Sequence, residues 1–577
     1  MLRTVIAFLS VFAFCLNAGI GQEKTPTPEK KTTQETSKTT PESKKHEFKR
    51  SGDAVRDMQS LAMIEQKADW GHWGNQPDKY STWINHTNRL IPVYTFGITL
   101  DALREEGSVY TDPKRLKELY GRVPAGTVNP TAMYYDQTDI YRLQMAAVEA
   151  GYSNIILIIF DGMDWQTTRA AALYKQHRRG RSSGPSYTSG RGTGLAFQDD
   201  RQVQTDFGLI CTSARLSGAK VDATAQTVIN GDADPTGGYD PSRGGEAPWH
   251  EQSAREYLMG TDREQPHTVT DSASAATSMT AGIKTYNSAV NVAVDGTHVI
   301  PIARTLQAEQ GFKVGLVTSV PVTHATPAAG YANNVTRKDY QDIGRDLLGL
   351  PSSSHRDDPL PGVDVLIGGG WGEGSKAGAL QGDNFMPGNP YLHQEDIKRA
   401  DIKNGGEYVV VQRTSGQSGR KRLLSAARRA ADNDSRLLGY FGTKGGHLPF
   451  QTADGKFNPT FDVKGTEKYT QADIDENPTL AEMTRAALLV LEQAIDGFWL
   501  MIEAGDVDWA NHANNLDNCI GAVLSGEEAF QVVMDWVDEN DAWSHTAVIV
   551  TADHGHYLVI DDAQRIIDAG KRPKANQ

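Results

Sequence analysis

Residues 154–160, NIILIIF, are apolar in succession after the leading asparagine and stop at Asp161-Gly162. A run of that length, rich in isoleucine and closed by turn residues, reads as a strand buried on both faces, as a parallel sheet covered by helices demands. Residues 313–319 (KVGLVTS), 364–367, 437–441, 498–502 and 546–550 read as further strands, and residues 423–431 and 478–492 carry helical periodicity. The reading is an α/β fold, a doubly wound, mostly parallel sheet sandwiched by helices. Open sheets of this kind place ligands beyond the carboxyl ends of their strands. The residues that come directly after the apolar runs are Asp161, Glu503 and the stretch from Thr551 through Asp553 and His554 to His556. A single aspartate after a strand is as readily a turn or a helix cap.

Between the first two runs lies HTVTDSASAATSMTAGIKTYN, residues 267–287. The small residues after Asp271 and the glycine at 282 predict a tight helix that starts near Ser272. The Ser272 hydroxyl then stands at a helix N-terminus, where unpaired N–H groups and the positive end of the dipole suit an incoming phosphate. A serine so placed can attack phosphorus once its proton is removed; the alternative is that small residues merely let a helix pack closely. Farther on, Asp508 and His512 stand four residues apart, on one face of a helical turn, and can share an ion. A surface helix can carry the same letters.

Together these segments resemble the alkaline phosphatases. The resemblance lies in Asp271-Ser272-Ala273 and Ala281-Gly282-Ile283-Lys284-Thr285-Tyr286-Asn287, and in Thr326 followed eleven residues later by Arg337. It continues in Glu503, Asp508 and His512 at intervals of five and four, and in Asp553-His554. It implies a phosphomonoesterase that works through a phosphoserine with two zinc ions and one magnesium ion. In that scheme Ser272 is the nucleophile, Asp271 orients Arg337, and Arg337 grips two phosphate oxygens. Asp161, Asp553 and His554 hold one zinc, Asp508 and His512 the other, and Asp161, Thr326 and Glu503 the magnesium, while His556 supports a ligand carboxylate. His324 and Trp509 replace the acidic and lysine residues that some members carry near the third metal, so a transition metal there stays open. Small phosphomonoesters are the implied substrates and a homodimer the implied assembly. The resemblance also asks for one more histidine at the Asp508 and His512 zinc, some tens of residues beyond the Asp-His pair, and only His556 comes after His554. Two ligands predict a weakly held ion and activity that depends on added zinc, unless a substitute such as His447 serves or the sequence is a fragment. A superfamily phosphodiesterase, a sulfatase-like hydrolase and an impaired phosphate or metal binder are the alternatives.

Composition bounds the rest. A formal charge of -14 and a pI near 5.6 argue against a nucleic-acid backbone as partner, which needs clustered lysine and arginine. The same charge means that metals and arginine must reverse the field locally before an anionic substrate can bind. Residues 1–21 read as a signal peptide, one positive charge at Arg3 before an apolar run too short to stay in a bilayer. The expected destination is therefore secreted or periplasmic, with no transmembrane segment. Residues 22–50 read as a disordered linker, 51–150 as an N-terminal helical extension, and 151–577 as the catalytic domain, whose C-terminal completeness the absent histidine puts in question. Residues 178–200, rich in Gly, Ser and Arg, read as an exposed loop. Cys211 and Cys519 remain after the leader, and whether they pair is a matter of geometry that spacing does not decide.

Overall fold

The computed structural model describes residues 48–571 apart from 179–185, 201–202, 232–235, 251–253, 375–379 and 464. The expected signal peptide and nearly all of the expected linker lie outside the described residues. A ten-stranded sheet organises the described chain. In chain order its strands are β1 (Ile91–Phe96), β2 (Tyr135–Asp136), β3 (Asn154–Phe160), β4 (Thr205–Cys211), β5 (Lys313–Pro321), β6 (Val365–Gly369), β7 (Tyr408–Gln412), β8 (Arg436–Tyr440), β9 (Phe498–Ala504) and β10 (Thr546–Thr551). Across the sheet they lie in the order β7-β8-β6-β5-β9-β3-β10-β1-β4-β2. Every pair from β7 to β10 is parallel, β1 runs antiparallel to both its neighbours, and β2 pairs parallel with β4. The sheet is thus mostly parallel and flanked by helices, among them Leu480–Leu491 and Leu516–Glu539, which pack on it and on each other.

The isoleucine-rich run is β3, hydrogen-bonded to β9 on one side and β10 on the other, with all seven residues buried. Burying such a side chain contributes about 1.5–3 kcal/mol against leaving it exposed, which is why a run without polar interruption belongs here. Register then does the positioning. Ile159 lies opposite Glu503 of β9 and Thr551 of β10, so Asp161, Glu503 and Asp553 leave three adjacent strands at the same edge.

Residues 51–150 carry the expected helices, Ala54–Glu65, Asp101–Glu106, Pro113–Tyr120 and Asp139–Glu149. They also supply strands. β1 sits inside the sheet beside β10, and two short antiparallel pairs join Gly71–Trp73 to Leu558–Ile560 and His86–Thr87 to Gly555–His556. Pro92 disguises β1, because a proline inside an apolar run argues against an interior strand. It stands at the edge of the ladder, whose pairing with β10 begins at Val93. Tyr187, Leu195 and Phe197 are buried, so the glycine- and serine-rich stretch that reads as an exposed loop is anchored in the core over its described part. Cys211 and Cys519 are each buried and unpaired. No helix among the described residues is long and apolar enough to cross a membrane.

The serine helix spans Ser272–Ala281 and is buried along its whole length. Asp271 caps it, its carboxylate accepting the Ser274 N–H at 3.1 Å. Gly282 ends it in the left-handed region at φ 70°, where a Cβ would meet the Tyr141 ring at 2.7 Å. Both facts call for glycine. Gly282→Ala is expected to destabilise the protein by at least about 1–2 kcal/mol, read as a lower urea midpoint at unchanged slope. An unchanged midpoint would refute this account of the turn.

Candidate active site

Ser272 opens its helix with only 1 % of its surface exposed, and its Oγ lies 3.3 Å from His554 Nε2. Asp271, the cap, uses both oxygens. Oδ1 accepts from the Ser274 and Ser288 amides at 3.1 and 3.0 Å, and Oδ2 accepts from Arg337 Nη1 at 3.0 Å. Burial works against this carboxylate, but Arg337 and the two amides outweigh it and hold its pKa below the usual range. Arg337 Nη2 stands 3.3 Å from His324 Nε2, and burial together with that guanidinium pushes the His324 imidazole down to about 3, so it is neutral. The Trp509 and His324 rings meet edge to face, 5.8 Å between centroids.

Two groups of metal-ligating side chains flank the serine. Asp161, Asp553 and His554 form one, fully buried, with His554 Nε2 3.3 Å from Asp161 Oδ1 and 3.4 Å from Asp553 Oδ2. Asp508, His512, His556 and His86 form the other. Asp508 Oδ1 lies 2.8 Å from His556 Nε2, 3.4 Å from His512 Nε2 and 3.5 Å from His86 Nε2, and the last two nitrogens are 3.0 Å apart. The opposite ring nitrogens are anchored to main chain, His86 Nδ1 at the Thr270 carbonyl (2.9 Å) and His512 Nδ1 at the Ile84 carbonyl (2.5 Å). An Nδ1–H donated to a carbonyl leaves Nε2 with its lone pair free, the tautomer a cation needs.

The charges fit a cation. Burial and the neighbouring carboxylates Asp553, Asp508 and Glu503 push Asp161 well above the ordinary carboxylate range. Burial likewise raises Glu503 to about 7 and Asp553 to about 6. Asp161 Oδ1 and Oδ2, Asp553 Oδ2, Glu503 Oε1 and Thr326 Oγ1 are buried without a hydrogen-bond partner among the described residues. Orphaned acceptors of this kind are costly, and bound cations are what ordinarily satisfy them. Glu503 spends its other oxygen on the Thr318 hydroxyl. Asp508 differs from these carboxylates: burial would raise it, yet the imidazoles of His512, His556 and His86 hold it well below the usual range.

His86 is the residue that sequence reasoning missed. The expectation of a zinc site short of one histidine searched only downstream of Asp508 and His512, whereas the histidine arrives from upstream, carried by the short pairing of His86–Thr87 with Gly555–His556. His86 is thereby a candidate for the place of the histidine that the sequence reading looks for downstream. His447 is not the substitute: its Nε2 lies 3.0 Å from Glu467 and its ring stacks on Phe450 at 4.2 Å. His556, expected to hydrogen-bond a ligand carboxylate, is in that position against Asp508.

Fold and site together set a serine at a helix N-terminus beside an arginine held by the capping aspartate and two groups of histidine and aspartate. The chain belongs to the alkaline phosphatase family, whose model, described as alkaline phosphatase, matches residues 249–566. His86 and Asp161 both lie outside that matched stretch. The chain is 32 % identical over 304 residues to alkaline phosphatase 3 of Bacillus subtilis (strain 168), covering 52 % of this chain and 53 % of that relative. It is 30 % identical over 302 residues to alkaline phosphatase 4 of the same organism, covering 52 % of each. The chain thus spans about half the length of these curated relatives. Among solved structures it is similar to a cold-active alkaline phosphatase from a psychrophilic Shewanella, with TM-score 0.41, 20 % identity and coverage of 70 % of this chain and 68 % of that one.

The geometry makes a measurable claim about metal. After zinc loading and dialysis, His86→Ala is expected to retain about one zinc ion per chain fewer than the unaltered protein by elemental analysis. Chelation should lower the thermal midpoint and zinc restore it, a stabilisation of about 2.7 kcal/mol at a hundredfold excess over Kd. Equal zinc content in the variant would remove His86 from the site.

Proposed function

We propose that this protein is a phosphomonoesterase that transfers the phosphoryl group of its substrate to Ser272 and then to water. The observation that carries the reading is the convergence of the Ser272 hydroxyl, His554 and the Asp271-held Arg337 at the buried N-terminus of one helix. Asp161, Asp553 and His554 would hold one zinc ion, and His86, Asp508 and His512 the other. Asp161, Thr326 and Glu503 would hold magnesium. When bound, these ions supply Lewis acidity that lowers the pKa of the serine hydroxyl and of water and stabilises the leaving oxygen.

The protein's own part is placement. The helix fixes Ser272 Oγ where the first-turn N–H groups and the dipole favour an anion. Asp271 occupies one nitrogen of Arg337 and so sets the plane of the guanidinium, which can then donate to two equatorial oxygens of a phosphoryl group. Neutral His324 lets Arg337 face the substrate without a second cation competing for the same oxygens. His556 and the two carbonyl-anchored imidazoles hold Asp508 and its neighbours in orientation. Phosphate monoesters resist hydrolysis enough that enzymatic accelerations reach about 10²¹, so positioning and charge stabilisation must act together. The leader-like residues 1–21 support export, to the periplasm or the exterior, and the family resemblance supports a homodimer.

Ser272→Ala is expected to abolish hydrolysis of p-nitrophenyl phosphate while zinc content and fold persist, and acid-quenched enzyme should carry phosphate on Ser272. Phosphate trapped on another residue would overturn the mechanism. With metals bound, kcat should rise toward alkaline pH as the attacking hydroxyl and water lose their protons, and an acid optimum would contradict the reading.

A further inference from the structure

A cavity of about 230 Å³ lies between the start of the helix Asp506–His512, the short helix Gln471–Asp475 and the first turn of the helix Leu480–Leu491. That is below the range of drug-sized ligand sites, so an occupant must be small. Leu448, Phe457, Ile474 and Leu480 give it apolar walls, and the most buried charged group in its lining is Asp506, 5 % exposed. Asp506 Oδ1 accepts from the Ser319 hydroxyl at 2.7 Å, and the Asp506 amide donates back to the same hydroxyl at 3.1 Å. Its Oδ2 takes no hydrogen bond from any described residue. Nor is any described lysine, arginine or histidine ion-paired with it. His447 is taken by Glu467 at 3.0 Å, and Arg420, exposed on the outer wall of the cavity, by Glu482 at 3.3 Å.

A carboxylate taken out of water without a counter-charge is destabilising until a cation meets it. An asparagine would keep the Ser319 hydrogen bond, so that bond alone does not call for the charge. A metal ion is a poor occupant, because it needs several ligands, and Asp506 belongs to no group of three metal-ligating side chains among the described residues. A primary ammonium needs only one carboxylate and neutral acceptors, which Asn477 and Ser525 offer in the same lining. The apolar walls suit a short hydrocarbon body beside it. We propose that this cavity is a second ligand site, which binds a small primary ammonium with a short apolar body. Asp506 engages the ammonium, and Leu448, Phe457, Ile474 and Leu480 enclose the body. Asp506 opens the helix that carries Asp508 and His512, so the site backs onto the hydrolytic centre without sharing its ligands. Its occupancy is read by binding rather than by turnover, so it stands or falls separately from the hydrolysis proposed above.

The probe is benzylammonium, titrated by calorimetry into the zinc-loaded full chain near neutral pH, with and without saturating inorganic phosphate. Saturable binding at one site per chain is expected, and it should survive the phosphate. Asp506→Asn keeps the shape and the Ser319 hydrogen bond while removing the charge. It should weaken binding about tenfold or more, the ratio one charge-assisted hydrogen bond sustains. Ile474→Trp fills the cavity from a half-buried position on a short helix and should weaken binding as much, with p-nitrophenyl phosphate hydrolysis unchanged. The neutral analogue benzyl alcohol should bind at least about tenfold more weakly than benzylammonium. Lack of saturable binding, loss of binding in phosphate, equal affinity for benzyl alcohol, or undiminished binding in either variant would each overturn the proposal.

Discussion

The structure depends on a repulsion that the fold itself creates. Three adjacent parallel strands end level, and their register delivers Asp161, Glu503 and Asp553 into one buried space, with most of their oxygens unpaired. Without a cation, burial and mutual repulsion push these carboxyl groups toward the protonated form, and an apolar core of the same shape would be the more stable choice. A sheet built this way makes sense as a device for concentrating negative charge where a cation can be held, with the serine helix ending alongside. The parallel core thus gathers carboxylates and imidazoles beside the N-terminus of the serine helix.

The second dependency runs between the ends of the described chain. Residues 86–96 supply two strands that dock on the segment carrying Asp553, His554 and His556, His86–Thr87 against Gly555–His556 and β1 against β10. These hydrogen bonds set the height of His86 relative to Asp508 and His512, so the stability of that pairing and the geometry of the site are one property. The family match over residues 249–566 leaves this contribution out. Where the sequence reading looks for a histidine downstream of the Asp-His pair, the structure brings His86 beside Asp508 and His512 from more than four hundred positions upstream.

Much of the fold was legible because parallel strands buried on both faces cannot hide: NIILIIF and TAVIV have no polar residue to confuse their reading after the first position. The serine helix was equally plain, since an aspartate cap and a glycine stop are local signals with local causes. What was not legible was non-local. β1 contains Pro92 and β4 is half exposed along its first residues, so neither shows the continuous apolar pattern of a core strand. The edge strand β7 stands partly open to solvent and has the same weakness. His86 comes after Trp83, Ile84 and Asn85 with no spacing to a second ligand, and only the pairing with Gly555–His556, across more than four hundred residues, gives it a role. Asp161 lay in between: the strand before it was clear, but its company of Asp553 and His554 is a product of register.

The central claim is that the upstream histidine and the downstream strand ends build one site, and anomalous diffraction at the zinc edge from crystals of the zinc-loaded protein tests it most directly. The account predicts two strong peaks in each chain, one within about 2.0–2.2 Å of ligand atoms from His86, Asp508 and His512 and the other equally close to Asp161, Asp553 and His554. A single peak, or a first peak with His86 turned away and another side chain in its place, would contradict it.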